Sequence, residues 1–389
     1  LPLTIRNRLT AGVVAPALLA GHAGVSPVLF AQEPVRVRPL FAVTETYDSN
    51  ISSSSLKPLS DFVTRISPGV EAEYRSALTK LQGRYTLDLE RFARESSLSD
   101  VGGRQVATLD LQYSRSRRLS LGFDAAFQKT NTPSDLGTVT GLILHRAAAE
   151  RFQLRPSIER HLDPLTSATI EYEFSADRLA GGSRMRLHRM TVGVDRDMSR
   201  RNLLGLDYEV RQWAFRPGGH PTSHVFRAGW SRPITRSIDV QVQAGPVVTD
   251  GVTTPDVTSS LRYNTRPTEL AIGYARTQTT IVGLAGVADT QSITASGSLT
   301  PRQGLHLRVS PGVSRTRHQI GRTDAWRVAF DAERHVGSGV LVRLSYEVNV
   351  QRGRLITIAD PSVSRHVVQL SVLPGPRPVS RREGQEPSR

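Results

Sequence analysis

Residues 340–351 read Val340-Leu341-Val342-Arg343-Leu344-Ser345-Tyr346-Glu347-Val348-Asn349-Val350-Gln351. Val342, Leu344, Tyr346, Val348 and Val350 share one parity, and Arg343, Ser345, Glu347, Asn349 and Gln351 share the other. Side chains alternate faces along a β-strand, so this strand has one oily face and one wet, charged face. Its length suits a tilted strand crossing a bilayer, which needs roughly 9–11 residues. One such strand would equally serve as the edge of a soluble sandwich. How often the pattern recurs decides between them.

It recurs along the whole chain. Leu81, Tyr85, Leu87 and Leu89 alternate with Gln82, Arg84, Thr86, Asp88 and Glu90. Leu109, Leu111 and Tyr113 alternate with Thr108, Asp110 and Gln112, and Leu121, Phe123 and Ala125 with Ser120 and Asp124. Ile170, Tyr172 and Phe174 face away from Glu171 and Glu173, and Leu206, Tyr208 and Val210 from Asp207, Glu209 and Arg211. Trp326, Val328 and Phe330 oppose Arg327, Asp331 and Glu333, and a last run sets Val368, Leu370 and Val372 against Gln369 and Ser371. The reading gives about 18 strands, or 16 if one hairpin is misread. Residues 141–160 and 186–197 fit least well, the second because its parity slips near His188. Ser-Pro-Gly-Val occurs at 67–70 and again at 310–313, and Pro156 and Pro246 sit similarly. These positions predict bulges or bends, since Pro lacks a ladder donor and Gly has no side chain to pack.

The expected fold is all-β: an antiparallel transmembrane β-barrel. Packing so many Asp, Glu and Arg into a dry sandwich would cost several kcal/mol per unpaired charge. A wide barrel turns that face to water and leaves no open edge, and at 16–18 strands it encloses an aqueous channel. Hydrophobic content of only 38% is compatible with this, because only the outer face has to be apolar. No fixed short repeat marks an elongated adhesin.

Arg6 and Arg8 precede an apolar run from Leu9 to Ala20, with Leu29-Phe30-Ala31-Gln32 as a cleavage point. That is the layout of a signal peptide over 1–31, leaving a barrel over 32–373 and a basic, Pro-rich tail over 374–389. The chain has no Cys, so thiolate chemistry and disulfides are excluded. The net charge of +15 comes almost wholly from Arg.

Connections alternate in length. Short ones follow Ala77, Arg115, Leu162, Ser199, Ile234, Pro267, Pro301 and Gly337. Longer ones cover 48–61, 95–103, 130–140, 176–183, 216–222, 249–256, 281–288, 319–323 and 352–362. This alternation is that of outer-membrane barrels, with periplasmic short turns. The short turns are basic (Arg75, Lys80, Arg115, Arg117, Arg118, Arg196, Arg200, Arg201, Arg232, Arg236), while the longer loops mix Asp48, Lys57, Asp61, Asp100, Asp135, Asp250, Asp256 and Asp289 with few Arg. A basic periplasmic rim would dock lipid phosphates, a periplasmic partner or an anionic chain, or simply be solvated.

The inward parity supplies the pore-lining candidates. The basic ones are Arg65, Arg84, Arg155, Arg211, Arg227, Arg262, Arg308, Arg327 and Arg343. The acidic ones are Asp88, Glu90, Asp110, Asp124, Glu171, Glu173, Asp207, Glu209, Asp239, Asp331, Glu333 and Glu347. Such a wall forms cross-strand ion pairs, selects solutes by charge and hydrogen bonding, or both. The ten His show no metal spacing, and no hydrolase or phosphate-loop motif occurs, so no catalytic residue, metal or cofactor is expected. Arg is spread over many strands rather than gathered on one element, which excludes a nucleic-acid interface.

The first strand ends Tyr47-Asp48-Ser49-Asn50-Ile51. With the hairpins that follow, it resembles the beta-barrel porin 2 family of outer-membrane proteins, in which a similar strand ends in Tyr-Asp-x-Asn. The resemblance covers most of the chain in pattern and residues 47–51 as a motif. It implies a bacterial outer-membrane location and an association with exopolysaccharide or capsule systems. Physically, Asp48 and Asn50 suit an Asx turn. Many outer-membrane barrels end on an aromatic residue; here Val372 leads into Leu373-Pro374 and the basic tail. The expected function is an outer-membrane channel for a polar solute, with an exported polar or anionic polysaccharide as the expected cargo, in contact with membrane lipid. The alternatives are a barrel-scaffolded enzyme acting on lipid or polysaccharide, and a structural or adhesive barrel with a plugged lumen.

Overall fold

A computed structural model describes residues 35–137, 140–302, 304–337, 339–354 and 362–374. The expected signal peptide and all of the expected tail but Pro374 lie outside the described residues. The strands are Arg36–Asp48 (β1), Asp61–Arg75 (β2), Thr79–Phe92 (β3), Asp100–Ser116 (β4), Leu119–Thr130 (β5), Ala149–Asp163 (β6), Thr166–Leu179 (β7), Arg184–Ser199 (β8) and Asn202–Arg216 (β9). They continue with Thr222–Pro233 (β10), Ile238–Thr249 (β11), Val252–Thr265 (β12), Thr268–Thr280 (β13), Val287–Arg302 (β14), Leu305–His318 (β15), Gly321–Val336 (β16), Val340–Arg354 (β17) and Ser362–Pro374 (β18). Consecutive strands pair antiparallel, and β1 also pairs with β18, from Val43 opposite Val372 to Asp48 opposite Val367. The sheet is therefore a closed 18-stranded barrel, and the 16-strand alternative falls. Closure gives every strand two neighbours, which is what removes open edges.

The outward parity is apolar through the middle of the wall. Leu206, Leu270, Ile293, Phe330, Leu344 and Leu370 are all exposed. A soluble protein does not leave so continuous an apolar girdle in water; hydrocarbon solvates it. Leu344, half exposed on the outer face of β17, gives a direct test. Leu344→Lys is expected to destabilise the membrane-folded barrel by about 2–4 kcal/mol, as for a mid-belt lysine. The neighbouring Ser345→Lys, on the inner face, should be close to neutral. Urea unfolding in lipid vesicles measures both.

Several expectations about local structure are corrected. The register shifts do not sit at the mid-strand Pro-Gly sites. Four of the five lie beside short turns, at Ser114/Ser116, His161/Asp163, Asp197/Ser199 and Leu299/Arg302, and the fifth is at Asp88/Leu89. At Pro68, Pro156, Pro246 and Pro311 the ladder skips two residues toward one neighbour, with register unchanged on either side. It stays continuous toward the other neighbour. The missing N–H thus costs local bonds without bending the count. Residues 141–148 are loop, and β6 begins at Ala149. Two expected longer loops are tight turns, at 250–251 and 319–320. In the first, Asp250 and Gly251 both have positive φ, the geometry that an Asp-Gly hairpin turn requires.

The parity of β8 does not slip. Arg184, Arg186, His188, Met190 and Val192 all point out, while Met185, Leu187 and Arg189 point in. What changes is the chemistry of each face. Near the long-loop end the inner wall becomes apolar, with Val63, Phe92, Met185, Trp213, Phe215, Val225 and Val247 buried. The outer wall there becomes polar. The inverted faces accommodate loops that fold inward.

Candidate channel constriction

The long connections are designated L1 (49–60), L2 (93–99), L3 (131–148), L4 (180–183) and L7 (281–286). L3 opens with a 3-10 turn, Pro133–Asp135, fixed by local bonds. The Thr130 hydroxyl donates to Asp135 at 3.2 Å, and the Leu144 N–H donates to the Ser134 hydroxyl at 2.9 Å. From there L3 crosses the lumen. Arg151 on β6 donates to the Leu136 carbonyl at 2.5 Å, Ser314 on β15 donates to the Thr140 carbonyl at 2.6 Å, and the Ile143 N–H donates to the Gln351 side chain on β17 at 2.7 Å. β6 and β15 are nine strands apart in a ring of eighteen, so these anchors are on opposite walls.

Apolar side chains hold the crossing in place. Leu136, Leu142 and Leu144 of L3 are buried with Ile281 and Val282 of L7, against Ala149 and Ala288 of the wall. L7 itself reaches L4, where the Ser183 N–H donates to the Gly283 carbonyl at 2.9 Å. Gly283 has φ +84°, and a Cβ there would stand 2.1 Å from Leu179 Cδ2, so only glycine fits. Ala285 of L7 and Val287 pack on Met185, Trp213 and Phe215. A third apolar cluster, Ile51, Val63 and Phe92 with Leu98, seats L1 and L2.

The charged inner wall forms two networks. In the first, Arg65 bridges Asp88 at 3.4 Å and Glu90 at 2.7 Å, and Arg104 bridges Asp88 at 3.5 Å and Asp135 of L3 at 3.0 Å. Arg146 of L3 lies 3.6 Å from Glu90 and 4.8 Å over the Phe92 ring. Desolvation pulls the Arg146 guanidinium below its ordinary value, with Glu90 opposing. Arg327 pairs with Glu347 at 2.5 Å. A cavity of about 280 Å³ lies between L3 and this wall, lined by Arg65, Arg104, Asp135, Arg327, Glu347 and Arg365 among others.

The second network lies on β6 to β12. Arg151 pairs with Asp177 at 2.5 Å and Arg189 with Glu173. Arg227 bridges Glu209 at 3.1 Å and Asp256 at 2.8 Å, and Arg211 pairs with Glu209 and lies 3.8 Å from Asp256.

The remaining candidates lie nearer the short turns. Asp110 and Asp124 are paired positions, with Arg155 opposite Asp124. Arg84 is opposite Glu71, Glu171 opposite Thr191, and Asp207 opposite Arg227. Asp239 is opposite Arg262 and Arg308 opposite Asp331; Arg343 bridges Glu333 at 2.6 Å. Arg308, Asp331, Glu333 and Arg343 line a cavity of about 1010 Å³ at that end.

Sequence reading missed Arg104, Arg146, Arg151, Asp177, Arg189 and Arg365 as members of these networks. Continuing the strict alternation through β7 and β8 would have found Asp177 and Arg189. Arg146 sits on L3 and carries no periodic signal. Asp256, expected in a loop, is a buried wall residue on β12.

The Tyr47-Asp48-Ser49-Asn50 motif closes the barrel. Asp48 accepts from the Asn50 N–H at 2.9 Å, the expected Asx turn, and pairs with Arg365 of β18 at 2.6 Å. Asn50 donates to the carbonyls of Ser54 at 2.8 Å and Ser364 at 3.1 Å. Tyr47 packs on Phe62, with ring centroids 5.1 Å apart. The motif thus ties the first strand, L1 and the last strand together at the seam.

No protein-family model and no curated protein matches the chain. Among solved structures, it is similar to Pseudomonas aeruginosa OpdQ, at 10% identity and TM-score 0.46, over 87% of this chain and 98% of that one. It is also similar to Pseudomonas aeruginosa OccK11 (OpdR), at 12% identity and TM-score 0.48, over 87% and 96%. A third similar structure is the outer membrane protein opdK from Pseudomonas aeruginosa, at 11% identity and TM-score 0.46, over 87% and 98%. The likeness is one of architecture.

Proposed function

We propose that the chain is an outer-membrane channel through which small polar solutes diffuse, with L3 and L7 forming its constriction. The observation that carries this reading is L3 itself, anchored on opposite walls and held to L7 by buried leucines. An apolar girdle outside and a charged wall inside make the barrel a water-filled path through hydrocarbon. L3 divides that path, leaving a smaller passage beside β16–β18 and β2–β4. At that passage each wall cation stands beside a carboxylate, so selection there is by size and hydrogen bonding more than by net charge.

The lined candidates are read as the surface along which the solute moves. No bond-making step is assigned, so the reading is a channel rather than an enzyme. Export of a polysaccharide is the less supported version, because the inward loops interrupt the lumen that a long chain would thread. The longer loops are taken as facing outward and the basic short turns as facing the periplasm.

Purified protein in planar bilayers is expected to give discrete ion-conducting steps. Vesicles carrying it should admit mono- and disaccharides and exclude longer oligosaccharides. Absence of steps in every lipid tried would overturn the channel. Free passage of long oligosaccharides would restore the export reading.

A further inference from the structure

The outer wall at the long-loop end of β7–β9 does not resemble the inner wall. Arg178, Arg184, Arg186 and Arg216 all lie on the outward parity there, and all are exposed. Arg184 is directly opposite Arg216, and Ala176 opposite Arg186 sets Arg178 beside Arg184. Adjacent strands are about 4.8 Å apart, so three guanidinium groups share one row, with Arg186 in the row beneath. Glu150, opposite Arg178 on β6, is the carboxylate of that row. Among the described residues none of the four arginines forms an ion pair. Like charges at directly opposed positions destabilise a sheet. The cations lining the constriction, by contrast, have carboxylate partners.

Immediately below this row the wall changes character. Phe174 packs on His188 at 5.2 Å, the Tyr172 hydroxyl meets His188 Nδ1 at 2.7 Å, and the Tyr208 hydroxyl meets His224 Nδ1 at 2.9 Å. Below these lie exposed Met190, Val192 and Leu206. The order down the wall is cations, then amphipathic rings, then apolar side chains. It matches the order of an outer-leaflet lipid: phosphate, interface, acyl chain. Guanidinium groups bind phosphate oxygens in bidentate pairs, and several on one rigid sheet present them at fixed spacing.

We infer that this face is a docking surface for a phosphorylated glycolipid of the outer leaflet, its phosphates on Arg178, Arg184, Arg186 and Arg216 and its acyl chains along the belt below. The inference rests on the channel reading and its outward long loops. The bound phosphates offset the repulsion among the four arginines, so the lipid should stabilise the barrel.

The test uses full-length protein folded in detergent and its variant with Arg178→Gln, Arg184→Gln, Arg186→Gln and Arg216→Gln. The control carries Arg117→Gln, Arg118→Gln, Arg200→Gln and Arg201→Gln, an equal charge change at the short turns. The probes are bis-phosphorylated lipid A and the same lipid with its phosphates removed. Binding is read by native mass spectrometry, and stability by the temperature at which the folded gel mobility is lost. Wild type and control should bind the phosphorylated lipid and melt at higher temperature. The β7–β9 variant should bind at least tenfold more weakly and gain no melting temperature. Equal binding by that variant, or equal binding of the dephosphorylated lipid, overturns the inference. Bilayer conductance of the variant should match wild type, so loss of the lipid site and failure of the channel reading are told apart.

Discussion

Replacing residues 137–144 with two glycines is expected to raise single-channel conductance several-fold. This segment carries Leu142 and Leu144 of the buried cluster and the backbone groups bonded to Ser314 and Gln351. None of its described residues belongs to the strand ladder, so the wall should survive its removal. With the crossing gone, the current meets a wider lumen, narrowed by L7 and the other inward loops. Gln351→Ala offers a gentler version. It removes the acceptor of the Ile143 N–H, and leaving a buried donor unpaired costs about 1–3 kcal/mol. L3 should then detach intermittently and the open current become noisy. Unchanged conductance in the deletion variant would mean that L3 does not set the resistance.

The largest loss of stability is expected for Arg211→Ala. The Arg211 side chain is 5% exposed, Glu209 is 5% exposed and Asp256 is 2% exposed. Among the described residues, removing Arg211 leaves Arg227 as the one ion-pair partner shared by two buried carboxylates. Breaking a buried pair in this way costs about 3–5 kcal/mol. Adding Glu209→Gln removes the stranded charge and should recover a large part. Arg75→Ala, whose side chain is 65% exposed in its pair with Glu73, should change almost nothing. Urea unfolding of the refolded barrels gives all three values. A loss at Arg211 no larger than at Arg75 would show the second network to be ornamental to folding.

Much of the wall was legible because a strand's period of two is a local property. Leu344 and Arg343 declare their faces from their neighbours alone, and the turns reveal themselves by composition. The reading failed where a face changed company. Arg186, His188 and Leu187 keep the parity of β8, yet the apolar residue points inward because L7 is there to cover it. Composition at one position cannot tell lipid from an inward loop. Asp256 lies in the wall rather than in a loop for a related reason: its partner Arg227 is on β10, two strands from β12, and pairing of that kind is invisible along the chain.

A transmembrane β-barrel of about eighteen strands, its two chemistries and the Asx turn at Asp48 follow from residue order alone, since each depends on residues a few positions apart. Folding added that L3 crosses the lumen and packs on L7, that Asp48 meets Arg365 at the seam, and that four arginines with no ion pair among the described residues gather on one outer face. Those features join residues on strands remote in sequence. Their contacts exist only once closure of the sheet has brought the walls together.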